Sequence, residues 1–178
     1  MVDLVRRMQR LFDRLEEAPL VTLAEIGGAA MGGGLELALA CDLRVAAVEA
    51  MLGLPEVGLG LVPGAGGTQR LARLAGEGVA KRLILGAEVI DGAEALRLGL
   101  VHWVQPRERL AAWTREQAAR LSGMSRIAIA AAKRCIAAAR DPASDGYAVE
   151  IAATRELYAD PATRRTVSGF LARRAGRS

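Results

Sequence analysis

The sequence predicts an α/β fold with a strand-rich front and a helical tail, on three observations. Short apolar runs alternate with glycine-rich turns through the front of the chain. Three consecutive glycines, Gly32 to Gly34, open directly into the helix-forming run Leu35 to Ala40. From Pro106 onward the sequence is a succession of helix-forming stretches with no linker and no repeat.

Leu4, Met8, Leu11, Phe12 and Leu15 recur at helical spacing with arginines and acids between them, which predicts an amphipathic helix over 2–17 that Pro19 ends. Val21, Leu23 and Ile26 mark a buried strand over 20–26 that feeds a glycine turn. After the helix of Glu36, Leu43 to Ala47 reads as a second strand, and Met51 to Leu54 as a short third that delivers Glu56. Five glycines between Gly58 and Gly67 make a loop. Helices are expected at 69–74, 77–85 and 93–98, the last opened by an Asp91/Glu94 capping box. A brief strand at 101–104 follows, and Pro106 opens a helix reaching Leu121. Three further helices are expected at 125–139, 145–158 and 161–173, the last with Asp160 as N-cap and Pro161 at its first position.

A chain of 178 residues that is 52% hydrophobic is long and apolar enough for a sizeable core and is not disordered. With 3% aromatic residues, aliphatic and alanine side chains must fill that core, and a nucleic-acid platform of stacked aromatics is disfavoured. The net charge of +4 suits a phosphate-rich ligand and, equally, a basic solvated surface. Cys41 and Cys135 have neither disulfide-framework nor zinc spacing and read as reduced core residues. Charged residues interrupt the N-terminal run, so it is not a secretory signal, and no apolar stretch approaches the roughly 20 residues that span a bilayer. A soluble, cytoplasmic protein without metal is expected.

The glycine turn carries the chemistry. Amides at a helix start lack helical partners and point outward at the positive end of the helix dipole, and without side chains a substrate oxygen approaches them closely. Glu36, three residues after Gly33, places an acid/base group beside that anion site. The 58–67 loop satisfies neither nucleotide-binding glycine pattern. His102, the only histidine, stands in a strand-like run and reads as packing. No G-x-S-x-G motif supports a serine hydrolase. Trp103 and Trp113 serve packing or an interface.

Two stretches, GGGLELALACDLRVA and LGLPEVGLGLVPGAGGTQRL, and the segment Ile90 to Val101 resemble the enoyl-CoA hydratase/isomerase, or crotonase, family. The resemblance runs from about Leu11 to the C-terminus and matches the family's second half. It implies a crotonase-like stacked β-β-α superhelix, N-terminally truncated, with residues 1–104 as the C-terminal portion of the core and 105–178 as a helical oligomerisation region. It implies an enoyl-CoA hydratase that adds water across the α,β double bond of a thioester. Glu36 and Glu56 would be catalytic, and Gly32, Gly33, Pro55 and Gly64 would bind substrate. Coenzyme A is then part of the substrate, with no separate cofactor, and the assembly is a homotrimer or dimer of trimers. Arg164, Arg165, Arg173, Arg174 and Arg177 would meet the coenzyme A phosphates or form a solvated face. The family's earlier glycine-aspartate loop, which supplies a second oxyanion-hole amide, has no counterpart here. Rival readings are another acyl-CoA isomerase or hydratase of the family, and a catalytically impaired remnant acting as a binding or assembly partner. An RNA-binding role has only the basic pI and one hydratase branch behind it.

Overall fold

The computed structural model describes residues 1–175; Arg177, weighed above for phosphate contacts, lies outside the described residues. The chain forms two compact units, one from Met1 to Gly123 and one from Met124 onward.

The first unit opens with helix α1 (Val2–Glu17), followed by strands β1 (Leu23–Ile26) and β2 (Ala29–Met31) and helix α2 (Gly33–Ala40). Strands β3 (Leu43–Ala47) and β4 (Met51–Gly53), a short 3₁₀ helix (Pro55–Leu59) and helix α3 (Gly67–Ile84) make the next turn of chain. Then come β5 (Val89–Asp91), α4 (Gly92–Arg97), β6 (Trp103–Gln105) and α5 (Arg107–Ser122). Each turn gives one strand to each of two sheets. One has the order β1-β3-β6, all parallel; the other has the order β2-β4-β5, with β5 antiparallel to β4. This is the stacked β-β-α arrangement expected from the sequence.

The apolar runs place the core between these layers. Leu35 of α2, Val45, Ala46 and Ala47 of β3, Leu52 of β4, Leu71 and Leu83 of α3, and Leu100 are wholly buried. Alanines on β3 let the neighbouring elements approach closely. A side chain on Gly92, at the start of α4, would overlap the Ala47 carbonyl. Trp103 and Trp113 pack ring to ring, centroids 5.1 Å apart, joining β6 to α5.

Several details depart from expectation. The glycine turn contains a strand, β2, and Val89–Asp91 forms another, β5. Both are three residues long, too short for periodicity, and pairing with β4 makes them strands. Within α3 the two helices expected at 69–74 and 77–85 are both present, separated by a kink at Gly76, whose φ of +81° and ψ of 161° are not helical. The capping box is one-sided. Asp91 accepts the Glu94 N–H, but the Glu94 carboxylate is held by Arg82 and Arg97 instead. Cys41 and Cys135 are half-buried rather than core residues.

In the second unit, α6 (Arg126–Ala138), α7 (Gly146–Ala159) and α8 (Pro161–Ala175) pack in sequence, α6 on α7 and α7 on α8. Ser125, Asp145 and Asp160 each cap a helix by accepting an N–H three residues on. Among the described residues no helix is long and apolar enough to cross a membrane.

Candidate active site

Gly32 sets the geometry. Its φ of +51° and ψ of −122° suit glycine, and it ends β2 by donating its N–H to the Gly53 carbonyl of β4 (3.0 Å). Its own carbonyl accepts the Glu36 N–H (2.9 Å), the first bond of α2. The helix therefore begins at Gly33, whose N–H has no intrahelical acceptor. Of the two glycines expected to bind substrate here, Gly33 starts the helix with an N–H that no carbonyl of α2 can accept, whereas the Gly32 amide is committed to the sheet.

Glu36 is 3% exposed, unusual for a charged residue in a helix. Its Oε1 accepts two backbone N–H groups, from Ala65 and Gly67, each at 2.8 Å. Both belong to the glycine loop that leads into α3. Gly67 makes this approach feasible: a Cβ there would stand 2.9 Å from Glu36 Oε1 and Cγ. Burial pushes the Glu36 carboxyl above its ordinary pKa, and the negative charge of Glu56 adds to the shift. The two amide bonds and the Arg70 charge pull the other way, and burial prevails.

Glu56 comes from the 3₁₀ helix, with Pro55 at the first position fixing the entry of that turn. Its Oε1 lies against Gly32, at 2.9 Å from where a Cβ would stand. Its Oε2 is buried and meets no protein donor. The structure thus brings Gly32, Gly33, Glu36, Pro55 and Glu56 to one place, with Glu56 close enough for its charge to act on Glu36.

Gly64 lies on the α1 side of the same loop. Its carbonyl accepts from Gln9 (2.7 Å), and a Cβ on it would meet Val5 at 3.3 Å. Phe12 of α1 is buried with Ala40 and Ala65. Of the face read from the sequence, Met8, Phe12 and Leu15 therefore pack against the glutamate loop, while Leu4 and Leu11 are exposed. What sequence reasoning missed is the buried Arg70, which binds Asp13 and Glu16 of α1. The signal was available: two acids at i and i+3 on α1, and an arginine one turn into the helix that the glycine loop opens.

His102 lies elsewhere. Its Nδ1 accepts the Arg44 N–H (3.1 Å) at the junction of β3 and β6, and burial and the Arg44 charge lower its pKa. Among the described residues no group of three or more His, Cys, Asp or Glu side chains could hold a metal ion.

The sequence profile of the enoyl-CoA hydratase/isomerase family matches residues 3–176. The chain is 40% identical over 152 residues to a crotonyl-CoA hydratase of Syntrophomonas wolfei, covering 85% of this chain and 56% of that protein. It is 44% identical over 127 residues to a short-chain-enoyl-CoA hydratase of Clostridium acetobutylicum, covering 71% of this chain and 49% of that one. The structure of Pseudomonas aeruginosa DspI superposes with a TM-score of 0.91 at 41% identity, covering 96% of this chain and 66% of that chain. The chain spans about half the length of the curated relatives it matches. The crotonase-like arrangement of its strands and the extent of these matches lead to one conclusion: the chain belongs to the enoyl-CoA hydratase/isomerase family.

Proposed function

We propose that this chain carries the hydration centre of an enoyl-CoA hydratase, adding water across the α,β double bond of an acyl-CoA thioester. The observation that carries the reading is the carboxylate pair. Glu36 has one oxygen tied by two amides, and Glu56 has one buried oxygen without a protein partner. A water molecule between them would satisfy Glu56 Oε2 and stand ready to add to the β-carbon.

With Oε1 of Glu36 already accepting two N–H groups, a proton carried by this residue sits on Oε2. Burial and the negative charge of Glu56 both favour the protonated form of Glu36. One carboxylate then takes a proton from the adding water as its oxygen bonds the β-carbon, and the other gives a proton to the α-carbon. Negative charge that develops on the thioester oxygen is met by the Gly33 N–H at the positive end of α2. The names of the crotonyl-CoA and short-chain hydratase relatives support a short acyl chain as substrate. Pro55 and Gly64 shape the pocket walls beside the pair, coenzyme A is part of the substrate, and the cytoplasm is the expected compartment.

The reading is tested by crotonyl-CoA hydration with the purified chain. Glu36→Gln and Glu56→Gln are each expected to lower kcat by about 100-fold or more. Activity unchanged in the double variant would refute the mechanism.

A second reading, an assembly partner acting through the helical region, is favoured by one observation. In the second unit Ile136, Tyr147, Phe170 and Leu171 are largely exposed on α6, α7 and α8. Such apolar exposure suits burial in a homotrimer or dimer of trimers. A monomer in light scattering would count against it, and a stable oligomer without turnover would favour it over hydration.

A further inference from the structure

The two amides that hold Glu36 come from a loop, and a loop holds a carboxylate in place only if it is itself held. Arg70 is in the first turn of α3 and only 7% exposed. Its nitrogens reach three partners: Nη1 the Ala65 carbonyl (3.1 Å), Nη2 Asp13 (2.6 Å) and Nε Glu16 (3.0 Å). Ala65 is therefore gripped on both sides, its carbonyl by Arg70 and its N–H by Glu36. The loop is shaped around the guanidinium. Gly66 has a φ of +105°, and a Cβ on it would overlap Arg70 Nη1. Two acids of α1 hold the fork from behind, while Gln9 and Phe12 of the same helix fasten Gly64 and pack with Ala65.

A buried arginine contributes little net stability merely by being paired, because desolvation offsets the attraction. What a planar fork supplies is direction, which a lysine ammonium with its single nitrogen cannot reproduce across three partners. We propose that Arg70 is a positioning residue: braced by Asp13 and Glu16, it holds Ala65 so that the Ala65 and Gly67 amides stay on Glu36 Oε1 and leave Oε2 to move the proton. The catalytic consequence rests on the hydratase reading; the linkage itself does not. The charged groups that face Glu36 are Glu56 from the 3₁₀ helix and Arg70 from α3, with Asp13 and Glu16 of α1 beyond the guanidinium.

The test uses the full chain without substrate, as Arg70→Lys and, separately, as Asp13→Asn combined with Glu16→Gln. Hydrogen exchange of the Ala65 and Gly67 amides is read by NMR, together with the carboxyl titration of Glu36, assigned by its loss in Glu36→Gln. Both amides are expected to exchange about tenfold faster or more while amides of β3 keep their parental protection. In Arg70→Lys the Glu36 midpoint is expected to move up, since the amides that favour its carboxylate are loosened; in the α1 variant, which also removes two negative charges, amide exchange is the readout. Asp13 is 60% exposed, so the α1 variant keeps the readout available where Arg70→Lys does not fold. Unchanged exchange in folded variants would overturn the proposal. So would acceleration spread evenly over the domain, the signature of an ordinary stabilising ion pair. Turnover by the parent chain is scored apart. No hydration together with a local response of Ala65 and Gly67 refutes the hydratase reading and upholds the positioning role. Where turnover is present, Arg70→Lys is expected to lower kcat about tenfold with KM nearly unchanged.

Discussion

Gly32 lies so close to the Glu56 carboxylate that a Cβ on it would stand 2.9 Å from Oε1, and its backbone is in a left-handed region as well. Two separate costs are thus avoided by one missing methyl group: steric contact with the acid and backbone strain. Gly32→Ala is expected to destabilise the protein by about 1–3 kcal/mol in urea unfolding. Combining it with Glu56→Ser should recover the contact part and leave the strain part, so the double-mutant cycle separates them.

The raised pKa of Glu36 has a definite sign in stability. Its folded-state pKa lies above the ordinary 4.5, so the ionised folded form carries a cost that is full above the folded pKa and is relieved as pH falls through it toward 4.5. Glu36→Gln keeps an oxygen for the Ala65 and Gly67 amides and removes the buried charge. It is expected to raise Tm at pH values above the folded pKa, where the buried charge would otherwise be present. The gain should vanish near pH 4.5 in a series of thermal melts.

His102 titrates with the opposite consequence. The Arg44 N–H donates to its Nδ1, which requires the neutral ring, and burial lowers its pKa below 6.5. Protonation is easier in the unfolded chain, so stability is lost as pH falls below about 6.5. His102→Asn should flatten that limb of the curve measured by denaturant unfolding at several pH values.

Arg44 is buried and donates to the carbonyls of Ala38, Cys41 and Leu100, tying the end of α2 to the approach to β6. Arg44→Met removes the guanidinium donor from the Cys41 and Leu100 carbonyls, while the Ala38 carbonyl keeps the Cys41 N–H, and should cost about 3 kcal/mol or more in urea unfolding. Far-ultraviolet circular dichroism on the same samples checks that the fold persists.

Arg82 provides the contrast. It bridges Glu88 and Glu94 on the surface, where Arg97 also joins Glu94. Arg82→Ala should lower Tm only slightly at low salt, and the difference should disappear in about 1 M sodium chloride, where the screening length is about 3 Å.

Much of this is legible in the chain of residues. The apolar spacing of Leu4, Met8, Phe12 and Leu15 implies α1, and the glycine triplet before Leu35 implies the start of α2. The long motifs around Glu36 and Glu56 single out both acids. These are local signals, in which neighbouring residues on one element carry the information. β2 and β5 escape because three residues cannot show a period, and only pairing with β4 defines them.

By itself, then, the sequence determined the order of helices and main strands, the family's two glutamate motifs and the glycine from which α2 departs. Only the tertiary structure decided that Ala65 and Gly67, about thirty residues from Glu36, would hold its carboxylate. It also decided that the polar face of α1 would brace Arg70 behind them. The physical reason is that a backbone amide or a guanidinium has no preferred partner along the chain. Its partner is whichever acceptor the packed core carries into reach while water is excluded.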